Sequence, residues 1–150
     1  MKKEIRRKSL QRLAFSNASQ IVLVSPQVKL SPAGYVVAAH AASADPGGTP
    51  STLRTFSFND PEPLASRRVP HAIRALALSA TGDFAVFGGD AGHLTVCRVH
   101  DLNVCREIPL DANAAPVTCL TFAEDHNHLF VGLEDGAIDV VSRSSYDEDD

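Results

Sequence analysis

No apolar run in this sequence approaches the roughly 20 residues that a membrane-spanning helix needs. The longest, residues 21–24 and 35–39, are strand-sized. Glycine and proline are sparse at nine each, too few for a collagen-like or low-complexity chain, and 44% hydrophobic residues is too many for a disordered one. Positive charge is not in excess. The formal net charge of −4 argues against wholesale nucleic-acid binding, which needs a basic footprint. Cysteine is scarce as well. Cys97, Cys105 and Cys119 are odd in number and lack Cys-x-x-Cys spacing, so no disulfide framework is written here. No secretory signal is legible, because polar Ser9-Leu10-Gln11 follows the basic opening where an apolar segment should run. These absences leave a folded chain of about one domain's length, expected in a reducing cytoplasm.

What charge there is sits at the ends. Lys2, Lys3, Arg6, Arg7, Lys8 and Arg12 crowd residues 1–20, and Asp147-Glu148-Asp149-Asp150 closes an acidic segment over residues 143–150. Charge blocks read first as solvated tails. Ile5, Leu10 and Leu13 add a thin apolar stripe to the basic end, so any membrane contact is expected to be indirect or through this segment.

Between the tails the chain repeats itself. Ile73-Arg74-Ala75-Leu76-Ala77-Leu78 and Val117-Thr118-Cys119-Leu120-Thr121-Phe122 alternate apolar residues alike and start 44 residues apart. The same offset relates Gly88 to Gly132, Gly92 to Gly136, Leu94 to Ile138 and Val96 to Val140. Within each copy, short alternating strands are separated by turn residues, and no helical spacing lies between them. That grammar predicts an antiparallel meander, and about 44 residues is the size of a propeller blade. A degenerate copy lies upstream: Val28 through Val37 parallels Leu76 through Phe84, with one turn residue missing. Residues 41–51, rich in Ala, Gly, Pro and Ser, read as a hairpin loop that has grown. The next strand places Leu53, Thr55 and Ser57 on one side and Arg54, Phe56 and Phe58 on the other, with the phenylalanine side suited to a core. The expected fold is all-β, a partial propeller of about three four-stranded antiparallel blades over residues 21–70, 71–114 and 115–142.

At Glu134-Asp135-Gly136-Ala137-Ile138-Asp139-Val140-Val141 the chain resembles a WD-repeat protein. Cys97 and Val141 stand where that family places tryptophan, which this chain lacks entirely, and Ala91 stands where Asp135 keeps the turn aspartate. In the family an Asp-His-Trp network fixes each blade, so its loss implies blades held mainly by apolar packing. Further stretches are similar to the C-terminal propeller of BEACH-domain proteins, neurobeachin and its relatives. They are Leu53 through Asp60, Gly88-Gly89-Asp90-Ala91-Gly92, Arg98 through Leu102 and His128 through Gly136. The resemblance spans about residues 28–141. It implies a non-catalytic scaffold that binds other proteins in vesicle or membrane trafficking, cytoplasmic and peripheral to membranes. The alternative it leaves is a generic WD-repeat adaptor in another complex, such as RNA processing or ubiquitin transfer. Three blades are too few to close a ring, since closed propellers have four to eight. The chain is therefore expected to be a fragment of a longer protein, the tail of a gene model, or half of a propeller completed by another subunit.

Catalytic constellations are not evident. Gly88-Gly89-Asp90-Ala91-Gly92 precedes a strand and carries no lysine, so it reads as a hairpin turn and not as a phosphate cradle. His126-Asn127-His128 has Asp125 as its only acidic neighbour and reads as a polar turn, short of the ligands a zinc site needs. Cys97, on the same strand face as His93, reads as a buried structural thiol. No catalytic residue, metal or other cofactor, and no small-molecule substrate, is expected, and nucleic acid is disfavoured. Propellers bind through loops at the rim and mouth. The residues to probe are Asp90 and His93 in one turn, Glu134 and Asp135 in its repeat, residues 41–51, and the rim cations Arg67, Arg68 and Arg74.

Overall fold

The computed structural model describes residues 27–41 and 50–142. Both charged tails and most of the 41–51 loop lie outside them. The described chain is all-β and forms three antiparallel sheets. The first contains β1 (Gln27–Ser31), β2 (Tyr35–Ala41), β3 (Ser51–Ser57) and β4 (Ala65–Val69) in sequence order. The second contains β5 (Ile73–Leu78), β6 (Phe84–Gly89), β7 (His93–Arg98) and β8 (Val104–Pro109), again in order. The third has β9 (Val117–Phe122), β10 (His128–Leu133) and β11 (Ile138–Ser142). This is the expected partial propeller, and among the described residues the third sheet has three strands. Only three alternating segments fit between residues 115 and 142, whereas the second blade finds its fourth in Val104–Pro109.

The blades stack face to face, with β5 packed against both β1 and β9. Strand alternation sorts the side chains of the middle blade into two cores. Leu76, Ala85, Phe87 and Cys97 pack with Val37, Ala39 and Leu53 of blade 1. Ala75, Ala77, Val86, Leu94 and Val96 pack with Leu129, Val131, Leu133 and Val141 of blade 3. An irregularity between Ile73 and Ala75 keeps both β5 faces in step, so that Ile73 and Leu76 join the first core and Ala75 joins the second. Both faces of one sheet are thus covered, at about 25 cal/mol for each Å² of apolar surface removed from water.

Two expectations about blade 1 change. Its buried face is Ser51, Leu53 and Thr55, while Phe56 is half-buried and Phe58 exposed. The reason is what each side meets: the Leu53 side lies against blade 2, and Phe58 falls past the end of β3. Nor is apolar packing alone at this joint. Ser31 Oγ donates to the Gly82 carbonyl at 2.8 Å, and Thr55 Oγ1 donates to the Val99 carbonyl at 2.6 Å. Ser51 Oγ accepts from the Ile73 N–H at 2.9 Å. Short hydroxyl side chains satisfy buried backbone groups between blades, where a missing partner would leave a costly orphan.

Candidate functional site

The hydrogen bonds between blades also fix which ends of the sheets lie together. Ser51, at the start of β3, bonds Ile73, at the start of β5, while the β1–β2 turn bonds the β5–β6 turn at the opposite end. The end of β2, the start of β3 and the connections β6–β7 and β10–β11 therefore lie on one face of the stack. So do the links between blades, residues 70–72 and 110–116. Residues 42–49 of the β2–β3 connection lie outside the described residues.

On that face the second and third blades meet through charge. Arg74 Nε lies 2.9 Å from Asp90 Oδ1, and its Nη1 lies 3.5 Å from Glu134 Oε2. Asp90 sits in the β6–β7 turn and Glu134 in the β10–β11 turn, so Arg74 ties equivalent turns of successive blades. His93, which opens β7, pairs at 3.6 Å with Glu107 of β8. Its ring meets His71 edge-on, with centroids 5.6 Å apart. The His71 pKa is lowered, first by burial and then by the neighbouring His93, with Asp90 and Glu107 pulling the other way. Asp135 caps its own turn by accepting from the Ala137 N–H at 3.0 Å. It also borders a shallow cavity of about 400 Å³ lined by Asp111, Asn113, Leu133 and Asp139.

Five of the seven residues singled out in the sequence thus share one face: Arg74, Asp90, His93, Glu134 and Asp135. The other two do not join them. Arg67 and Arg68 lie on β4, the outermost strand of blade 1, and point to opposite faces of that sheet. Arg67 donates to the Leu102 carbonyl at 3.3 Å, toward the β7–β8 turn. His71 and Glu107 are the residues sequence reading missed. His71 stood outside any motif, and Glu107 reaches His93 only through the β7–β8 register, which pairs Thr95 with Glu107 and His93 with Pro109.

The electrostatics of the face are one-sided. Around Arg74 stand the carboxylates of Asp90, Glu107, Asp111, Glu134, Asp135 and Asp139. No group of three or more His, Cys, Asp or Glu among the described residues is placed to hold a metal ion. Cys97 is buried in the first core, and burial pushes its thiol up to about 12, which leaves no thiolate for nucleophilic chemistry. The Asp125 carboxylate is engaged by the Asn127 N–H at 2.9 Å and by His128 Nδ1 at 3.1 Å, which holds residues 123–128 as a polar turn.

No family model matches the sequence. Solved structures do match the fold. A computationally designed protein, Ika4, superposes with a TM-score of 0.57 at 22% identity, covering 77% of this chain and 63% of its own. A chain of the COPII outer coat vertex on membranes gives a TM-score of 0.59 at 20% identity, over 73% of this chain and 31% of that one. A chain of the COPII coat assembled on membranes gives the same score and identity, over 73% and 17%. The chain spans less than two thirds of each of these. Likeness at such identity concerns the backbone, and the backbone is that of a β-propeller built in part.

Proposed function

We propose that this chain is a non-catalytic protein-binding scaffold acting in vesicle or membrane trafficking, as part of the C-terminal propeller of a BEACH-type protein. The observation that carries the reading is the shared face on which Arg74, Asp90, His93, Glu134 and Asp135 converge across two blades. Turns of successive blades held in fixed relation make a preorganised surface, which lowers the ordering cost of binding. Its excess of carboxylates suits a partner segment rich in lysine or arginine, recognised by complementary potential. The backbone likeness to coat structures on membranes supports a trafficking setting, as an analogy of fold. The protein is placed by this reading in the cytoplasm, peripheral to membranes.

The test is affinity capture with the full chain and with a variant carrying Asp90→Asn, Glu134→Gln and Asp135→Asn. Coat or vesicle-tethering proteins held by the wild type, released by salt and lost with the variant are the expected result. A second variant, Arg67→Glu with Arg68→Glu, separates the outer strand from the shared face and is expected to keep those partners. Capture of RNA-processing or ubiquitin-transfer components instead favours the generic adaptor. Reading the genome upstream of Met1 for a BEACH module in the same frame decides between the two parents.

A further inference from the structure

The 44-residue translation carries a covered face of blade 2 onto a face of blade 3 that no other described strand covers. Ala77, Val86 and Val96 stand side by side across β5, β6 and β7, and Thr121, Phe130 and Val140 stand in the same register across β9, β10 and β11. Val86, Leu94 and Val96 are 4%, 0% and 7% exposed, whereas their counterparts Phe130, Ile138 and Val140 are 42%, 69% and 55% exposed. Among the described residues, none packs on the other side of blade 1. Leu78, Ala85 and Cys97 align across blade 2 on the face that meets blade 1, and Leu30, Val36 and Phe56 align in the same way on blade 1 itself. There Val28 is 58% and Leu30 70% exposed.

The two open faces are of opposite kinds. That of blade 3 corresponds to the side that receives the following blade. That of blade 1 corresponds to the side that is received. The blade 3 face is apolar at its centre and the blade 1 face is apolar along β1 and β2, while on β3 Arg54 stands in the row of Val28 and Ala38, at the position that buried Thr95 holds in blade 2. We propose that the two faces cover each other between two copies of this chain, each joint continuing the packing that already links blade 1 to blade 2 and blade 2 to blade 3. Two such head-to-tail joints close a six-bladed ring with two-fold symmetry. Six lies within the four to eight blades of closed propellers. A contact between unlike faces gives a ring where its rotation closes and a filament where it does not. The proposal rests on the blade faces alone and concerns the 150-residue chain; a longer parent with further blades in the same polypeptide would cover these faces itself.

Sedimentation velocity on the full 150-residue chain is the test. The expected species has twice the 16.0 kDa of one chain. Two variants, Phe130→Asp with Ile138→Asp and Val28→Asp with Leu30→Asp, alter only side chains that are exposed in the single chain. Both are expected to keep the wild-type far-ultraviolet circular dichroism and to sediment as monomers. Mixed in equal amounts they are expected to regain a dimer, because each supplies the intact face the other lacks. In the wild type Cys119, which lies on the blade 3 face, is expected to react slowly with a thiol reagent, and in either variant quickly. A monomeric wild type overturns the proposal. So does an open-ended series of larger species, or dissociation by one variant and not the other. A mixture that stays monomeric at the highest attainable concentration, with both spectra native, overturns it as well.

Discussion

Gly82 shows how much of this packing rests on one residue. Its φ is +78°, and a Cβ there would overlap Ser31 Oγ and Pro32, the very turn that bonds its carbonyl. Gly82→Ala is expected to cost about 1–3 kcal/mol, since a left-handed conformation and a close approach are penalised together. Gly92→Ala, which meets open space, serves as the control and is expected to stay within about 0.5 kcal/mol, both read from urea midpoints. Cys97 is the second residue-scale case. Its thiol value lies above the 9.0 of an unfolded chain, so its contribution to stability is complete below pH 9 and is lost as pH rises toward 12. Thiol titration at pH 8 should find Cys105 reactive and Cys97 silent until denaturant is added; prompt reaction at Cys97 would remove it from the core. His71 works in the other direction. Its lowered pKa means that the unfolded chain takes up the proton first as pH falls below 6.5, so the stability it contributes is present above that value and declines through the folded-state value. His71→Gln should flatten the fall in urea midpoint between neutral and mildly acidic pH. An unchanged slope would mean that His71 stays accessible to protonation in the folded chain.

At the scale of strands and blades, the sequence displayed the repeat and concealed the joints. Apolar alternation and paired glycines 44 residues apart were enough to place β5 to β7 and β9 to β11, because strand period and turn chemistry are local. Which face of β3 is buried was not local. Leu53 and Phe56 compete on equal terms until blade 2 covers one side of the sheet, and only stacking decides. The hydroxyl contacts of Ser31, Ser51 and Thr55 were invisible for the same reason, since each bonds a backbone group more than 20 residues away. Thr55→Val keeps the shape of that joint and removes the donor. It is expected to destabilise the chain by about 1–3 kcal/mol in urea unfolding, leaving the buried Val99 carbonyl unpaired. A neutral outcome would show that the joint is held by apolar contact alone. Of the candidate site, the two turns were legible as repeats of one another, whereas the bridge that Arg74 makes between them was not. Being partly exposed, that bridge contributes about 0–1 kcal/mol to stability, and its worth lies in holding the two turns in register.

For the whole molecule, everything follows from a stack of sheets in which, among the described residues, one blade is covered on both sides and its neighbours on one. The middle blade accordingly divides its apolar side chains between two separate cores, and the turns of successive blades converge on a single acidic face. Methyl-to-methyl nuclear Overhauser contacts read that arrangement directly. Leu76 should show contacts to Val37 and Leu53, and Val86 and Leu94 should show contacts to Leu129 and Val131, with none joining the first set to the second. Contacts confined to residues within each sheet, or Val86 and Leu94 found beside Val37 and Leu53, would contradict the stacked-blade arrangement.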